Sequence, residues 1–148
     1  MIGALAYSPI FCKVPTGVCG SWRIYVMSHK QSTPLEVVEL YIRHTSNEGD
    51  ADWIPRLCAN PVRRHDPNSI TEMTHTEQMD RIRNSSARAL EPHFHSVVLH
   101  GQGPFVTWIW EMTVRKGDKR LCGIEVFKVE NGLITDMWNS PYVQGAWG

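Results

Sequence analysis

At Pro92 the hydrophobic period of this chain changes from that of helices to that of strands, and the break limits the folds open to its 148 residues. Downstream, Phe94 to His100, Phe105 to Arg115, Leu121 to Glu130 and Leu133 to Asn139 read as four strands of period two. Turn signals separate them: Gly101-Gln102-Gly103, Lys116-Gly117-Asp118 and Asn131-Gly132. Asn-Gly is the strongest short hairpin signal, because both central residues of that turn need positive φ. Upstream, Thr33-Pro34-Leu35-Glu36 is a helix start with a capping threonine, a proline suited to the first helical position and a glutamate to complete a capping box. Val37, Val38, Tyr41 and Ile42 make its apolar stripe, and the helix should run to about Ser46 and stop before Gly49. Asp50 caps a short second helix carrying Trp53, Ile54 and Leu57, ended near Asn60-Pro61. Val62 to His65 is polar and extended, and leads into the turn Asp66-Pro67-Asn68. Thr74-His75-Thr76-Glu77 starts a third helix, with Met79, Ile82, Ala87 and Leu90 on its stripe. Three helices followed by an antiparallel meander make an α+β chain.

The two faces of each strand then assign layers. In the second strand Val106, Trp108, Trp110, Met112 and Val114 share the side that must meet the helices, opposite Thr107, Glu111 and Thr113. In the third strand both faces are largely apolar: Leu121, Gly123, Glu125 and Phe127 on one, Cys122, Ile124 and Val126 on the other. No further helix is left to cover the outer face, so a homodimer is expected, with Ile124 and Val126 at the sheet-to-sheet interface.

Composition narrows the partners. Fifteen basic residues balance fifteen acidic ones, so no overall field draws in nucleic acid, and none is expected as a partner. No run of about 18 apolar residues exists to span a membrane. Cys12, Cys19, Cys58 and Cys122 lack the spacing of zinc ligands and read as thiols of a reducing compartment, so the expected location is cytoplasmic. Residues 1–26 show no period, carry Pro9 and Pro15, and lack the basic start and unbroken apolar stretch of a secretory signal. Residues 1–32 are therefore read as an unstructured or loosely packed extension, and 33–148 as the domain.

Glu125 is the most informative residue, because it interrupts the apolar strand Ile124-Glu125-Val126-Phe127. A carboxylate there is either satisfied by a polar partner or sits in an apolar pocket with a raised pKa, able to exchange a proton with a ligand. Asp66, before Pro67, is either a turn residue or a general base at a pocket mouth, with His65 beside it. Tyr41 is either a core aromatic or a hydroxyl donor. His93 and His95 alternate onto one strand face, but without a third ligand they do not make a metal site, and none is expected. Phosphate-loop, Gly-x-Ser-x-Gly and His-Glu-x-x-His motifs are missing from the chain.

From about Thr33 to Asn139 the chain resembles the nuclear transport factor 2-like superfamily, in particular its SnoaL-like polyketide cyclase branch. The resemblance rests on the first helix with Tyr41, the segment from Val62 to Pro67, the capped third helix and, most specifically, the run CGIEVFKVENGLITDMW from Cys122 to Trp138. It implies a cone-shaped barrel: a curved, mostly antiparallel sheet wrapped around three N-terminal helices. Ketosteroid isomerases of the superfamily place a tyrosine on the first helix, a general-base aspartate before a proline and a second acid on the penultimate strand, positions occupied here by Tyr41, Asp66 and Glu125. The third departs from the pattern, Glu125 being longer than the expected aspartate. SnoaL-like cyclases use a histidine and an aspartate where this chain has Glu125 and Asn139. Limonene-epoxide hydrolases use an Asp-Arg-Asp set that Asn139 and the lack of a matching arginine do not reproduce.

The expected function is cofactor-independent proton transfer, as an isomerase, cyclase or dehydratase, on a hydrophobic carbonyl compound such as a polyketide, steroid or terpenoid. Asp66, Glu125, Tyr41, His65 and Asn139 are the candidate catalytic residues. Val106, Trp108, Trp110, Met112, Trp138 and Trp53 are the candidate pocket wall. The alternative is a non-catalytic dimeric ligand-binding or interaction module on the same fold. Carboxyls converging on a cavity favour the enzyme, and an interior filled by tryptophan favours the module.

Overall fold

A computed structural model describes residues 32–85, 91–115 and 120–147. The extension up to residue 31, the stripe residues Ala87 and Leu90 and the turn Lys116-Gly117-Asp118 lie outside the described residues.

Both capping boxes form as their sequences require. Thr33 opens helix α1 (Pro34–Tyr41), exchanging hydrogen bonds with Glu36. Thr74 does the same with Glu77 for α3 (His75–Arg83). Past Tyr41 the first helix widens into a π-helical segment, Ile42–Glu48, in which the Thr45 hydroxyl donates back to the Tyr41 carbonyl. Gly49 ends it at φ 73°, a left-handed cap open to glycine at no steric cost. Asp50 caps a single 3₁₀ turn, Ala51–Trp53, which runs into α2 (Ile54–Leu57).

The second helix stops earlier than its sequence suggests, at Leu57, because the chain then enters a strand. Strand β1 (Cys58–Asp66) runs through Pro61, turns at Pro67-Asn68 and returns as β2 (Ser69–Met73). After α3 come β3 (Pro92–Gln102), β4 (Phe105–Val114), β5 (Arg120–Glu130) and β6 (Leu133–Asn139), close to the four segments of period two. The Asn131-Gly132 turn has both φ values positive, 53° and 79°. A two-residue strand β7 (Val143–Gln144) pairs with β5 at Leu121 and Cys122, on the edge that β6 has vacated.

The strand order is β2-β1-β6-β5-β4-β3, antiparallel throughout except for the parallel pair β1 and β6. The expected barrel is corrected here: β2 and β3 are the two edges and do not pair, so the sheet is open and mixed. Closure fails for a physical reason, since β2 has five residues, four of them exposed, and offers no long edge to bond across the gap. The helices take up the inner face instead. α1 lies over β3 to β6, and α3 over β1 and β2. Val37, Val38 and Tyr41 of α1, with Ile42 of the π-helical segment, meet Val106, Trp108, Phe127, Ile134 and Met137 of the sheet in one buried core. Each such aliphatic or aromatic side chain contributes about 1.5–3 kcal/mol by leaving water.

Strand alternation determines what reaches the inner face. Cross-strand register pairs Glu125 with Trp108 on β4 and with Asn139 on β6, so all three share the helix-facing side with Phe127 and Met137. On β1, Val62, Arg64 and Asp66 take that side, and Arg63 and His65 take the other.

Candidate functional site

A cavity of about 210 Å³ opens between α1, α3 and the inner face of β3 to β5. Its apolar wall is Phe94, Trp108, Trp110, Met112 and Leu121, and its polar groups come from Tyr41, Thr45, Arg64, Arg81, Glu125 and Tyr142. Phe94 meets Trp110 edge to face at 5.1 Å and Trp108 at a 45° tilt, 5.7 Å away, and Tyr142 stands at 74° to Trp110, 5.0 Å away. Trp110 lies across β5 because its register partner is Gly123, where a Cβ would sit 2.5 Å from the Trp110 Cζ2.

Glu125 is the acid of this cavity. It is 8% exposed, and burial pushes its carboxyl up to about 7, against the opposing pull of the Arg64 and Arg81 charges and a hydrogen bond from Tyr142. Tyr142 also lies within hydrogen-bonding reach of Arg64, whose Nε and Nη2 donate to the two oxygens of Asp66 at 2.8 and 2.9 Å. The result is a chain of polar contacts, Asp66 to Arg64 to Tyr142 to Glu125. Tyr41 reaches the cavity from α1, its ring 5.6 Å from Phe127 and its hydroxyl accepting from Gln78 Nε2 at 3.3 Å. Burial raises the Tyr41 pKa well above the ordinary tyrosine value, so the hydroxyl stays protonated and able to donate.

The candidate residues therefore divide. Glu125, Tyr41, Trp108, Trp110 and Met112 meet at the cavity. Asn139 is buried beside Glu125 in the register, its Oδ1 without a partner among the described residues, but it does not line the cavity. Asp66 shares the inner face yet stands off the cavity with both oxygens engaged by Arg64. Val106 is sealed in the core, and Trp53 stacks on His44 at 3.9 Å, under Arg56 and away from the cavity. His65 and Trp138 face the opposite side of the sheet, as the period of two demands of neighbours of Asp66 and Asn139. There the His65 ring stacks on Trp138 at 4.5 Å, and its Nε2 lies 2.9 Å from Asp136 Oδ1. Burial favours the neutral form of Asp136, but hydrogen bonds from His65 and Thr135 and the Arg63 charge outweigh it and hold the carboxyl below the usual aspartate range.

Sequence reasoning missed Arg64, Arg81 and Tyr142. Arg64 carried a signal, since it alternates with the buried Val62. Arg81 falls in the polar part of a helix, and Tyr142 lies beyond Pro141 with no periodic neighbours. Pairing of β7 with β5 is what brings Tyr142 over Trp110, and the tail is held further by Trp147 Nε1 donating to the Trp110 carbonyl at 3.1 Å. Among the described residues no group of three or more His, Cys, Asp or Glu side chains could hold a metal ion. No helix among them is long and apolar enough to cross a membrane.

No family model matches the sequence, and no curated protein matches it significantly. Solved structures do resemble the fold. A protein from Kribbella flavida, provisionally assigned as a ketosteroid isomerase, superposes with a TM-score of 0.65 at 17% identity over 78% of this chain and 81% of its own. A provisionally assigned isomerase of the SnoaL-like family from Agrobacterium tumefaciens gives 0.59 at 18% over 76% and 97%. An epoxide hydrolase from Mycobacterium tuberculosis gives 0.60 at 14% over 72% and 80%. With the inner-face cavity and the β1-to-β6 pairing already described, the chain shares the fold of these solved structures, the provisionally assigned SnoaL-like isomerase among them.

Proposed function

We propose that the protein is a cofactor-independent enzyme that moves a proton on an apolar carbonyl compound, as an isomerase or cyclase. The observation that carries this reading is Glu125: one carboxyl, enclosed by aromatic side chains and poised near pH 7, facing a cavity that also presents tyrosine hydroxyls. Near neutral pH such a group is populated in both forms, so it can take a proton and return it.

The steps follow from the geometry. Ionised Glu125 removes a proton from the carbon beside the ligand carbonyl, and the electron pair moves onto the carbonyl oxygen. Tyr142, backed by the Arg64 charge, and Tyr41 are the donors available to that oxygen. Protonated Glu125 then returns the proton to another carbon of the conjugated system, which is isomerisation, or the enolate attacks an electrophilic carbon of the same molecule, which is cyclisation. Asp66 fixes Arg64 in this scheme and is a positioning residue, while Glu125 carries the proton. His65, on the far side of the sheet, takes no part. Binding without catalysis on the same fold is the competing reading, and it is disfavoured by a buried acid that a mere ligand container would not need.

The test is solvent exchange. In deuterated buffer the protein should speed incorporation of deuterium next to the carbonyl of phenylacetone or cyclohexenone, followed by proton NMR. Glu125→Gln should lower that rate about tenfold or more. Equal rates for the two proteins would remove Glu125 from the mechanism.

A further inference from the structure

The cavity presents a cation with no acidic partner among the described residues, Arg81. It lies on the exposed side of α3 and lines the cavity, placing it at the rim. Its Nε donates to Gln78 Oε1 at 3.3 Å, and Gln78 is fully buried and itself bonded to Tyr41, so the guanidinium is held by one edge. No carboxylate lies within ion-pair distance of Arg81 among the described residues, Glu125 included, whereas Arg63, Arg64, Arg83 and Arg115 each have an acidic partner. Among the described residues the two Nη groups of this cavity arginine have no partner.

An unpaired guanidinium at the rim and an apolar aromatic wall within describe one kind of guest. We propose, building on the proton-transfer reading above, that the substrate is an apolar organic acid, a keto or unsaturated carboxylate whose carboxylate pairs with Arg81 while its body lies against Trp108, Trp110 and Phe94. Guanidinium and carboxylate match as a planar fork, which a neutral ketone or alcohol cannot use. The cavity volume of about 210 Å³ suits a guest of roughly ten to fifteen non-hydrogen atoms. Gln78 acts as a positioning residue, orienting both Arg81 and the Tyr41 hydroxyl.

The experiment compares trans-cinnamate with cinnamamide, which share shape and differ in charge, by calorimetry and by quenching of tryptophan fluorescence. In the wild type the acid should bind about tenfold or more tightly than the amide. Arg81→Met should abolish the preference by weakening the acid alone, and Arg81→Lys should keep part of it. Failure of the acid to bind, equal binding of acid and amide, or equal weakening of both by Arg81→Met would each overturn the proposal. The wild-type comparison stands even where a variant fails to fold. Binding is read here without turnover, so deuterium exchange on neutral ketones with no acid preference would refute this inference alone. Acid preference without exchange on any substrate would refute the proton-transfer reading alone.

Discussion

Replacing Glu125 by glutamine keeps the shape of the side chain and deletes its proton equilibrium. An unfolded glutamate titrates near 4.3, and in the fold burial moves Glu125 to about 7. Below the unfolded value both states hold the proton and the group imposes no penalty. As pH rises from there the unfolded chain releases its proton and the folded one keeps it, so the contribution to stability is present in full at low pH and is lost as pH climbs through the folded value. The shift corresponds to roughly 3 to 4 kcal/mol lost across that window. For a chain of this size that is on the order of 10 °C in Tm. The assay is the thermal midpoint of wild type and Glu125→Gln from pH 4 to 8. The two share every other titrating group, so their difference isolates Glu125, and the variant should gain on the wild type steadily up to about pH 7 and then run parallel. A difference that stays flat across that range would show that the carboxyl is not a buried acid.

Further expectations follow from other parts of the structure. Gly123→Ala places a Cβ 2.5 Å from the Trp110 ring, and should lower stability by about 1–3 kcal/mol, read by urea denaturation, while weakening cavity ligands. Asp136→Asn should lower stability at neutral pH, because the folded carboxyl is held below its unfolded value by His65, Thr135 and Arg63; the stabilisation is present in full above the unfolded value of about 4 and is lost as pH falls from there through the lower folded value, so the variants should converge in strong acid, with ligand binding unaffected throughout. Light scattering should find a homodimer at twice the chain mass of 16.9 kDa, since Ile124 and Val126 share the outer sheet face with the exposed Trp138 and Phe105; a monomer would refute it. A chain begun at Met27 should melt within a few degrees of the full one by calorimetry.

The parts of the fold legible in the sequence were those with local chemistry behind them. Capping boxes at Thr33 and Thr74, the Asn131-Gly132 turn and the alternation of Val106 to Val114 each specify their structure within a few residues. Strands β1 and β2 escaped because their stability is non-local: Ser69 to Met73 is exposed at four positions and is held only by pairing with β1, and β1 is held by a parallel neighbour over 60 residues away in the chain. The open sheet follows from the same short edge, which a family likeness to a barrel hides. At the site, a lone acid in an apolar strand was enough to find Glu125, and a helical stripe enough to find Tyr41. Alternation could have excluded His65 and Trp138 once Asp66 and Asn139 were taken as facing inward, because adjacent strand residues point to opposite faces. Arg81 and Tyr142 reach the cavity through helix orientation and through the pairing of β7, neither of which leaves a local pattern.

The central claim is that Glu125 is a near-neutral acid inside a ligand cavity, and its own titration tests that most directly. With glutamate carboxyls labelled with carbon-13 and the Glu125 signal assigned by its loss in Glu125→Gln, NMR should give a midpoint near 7 that moves when phenylacetone or cinnamate fills the cavity. A midpoint near the unperturbed value of about 4.3, unmoved by either ligand, would contradict the account.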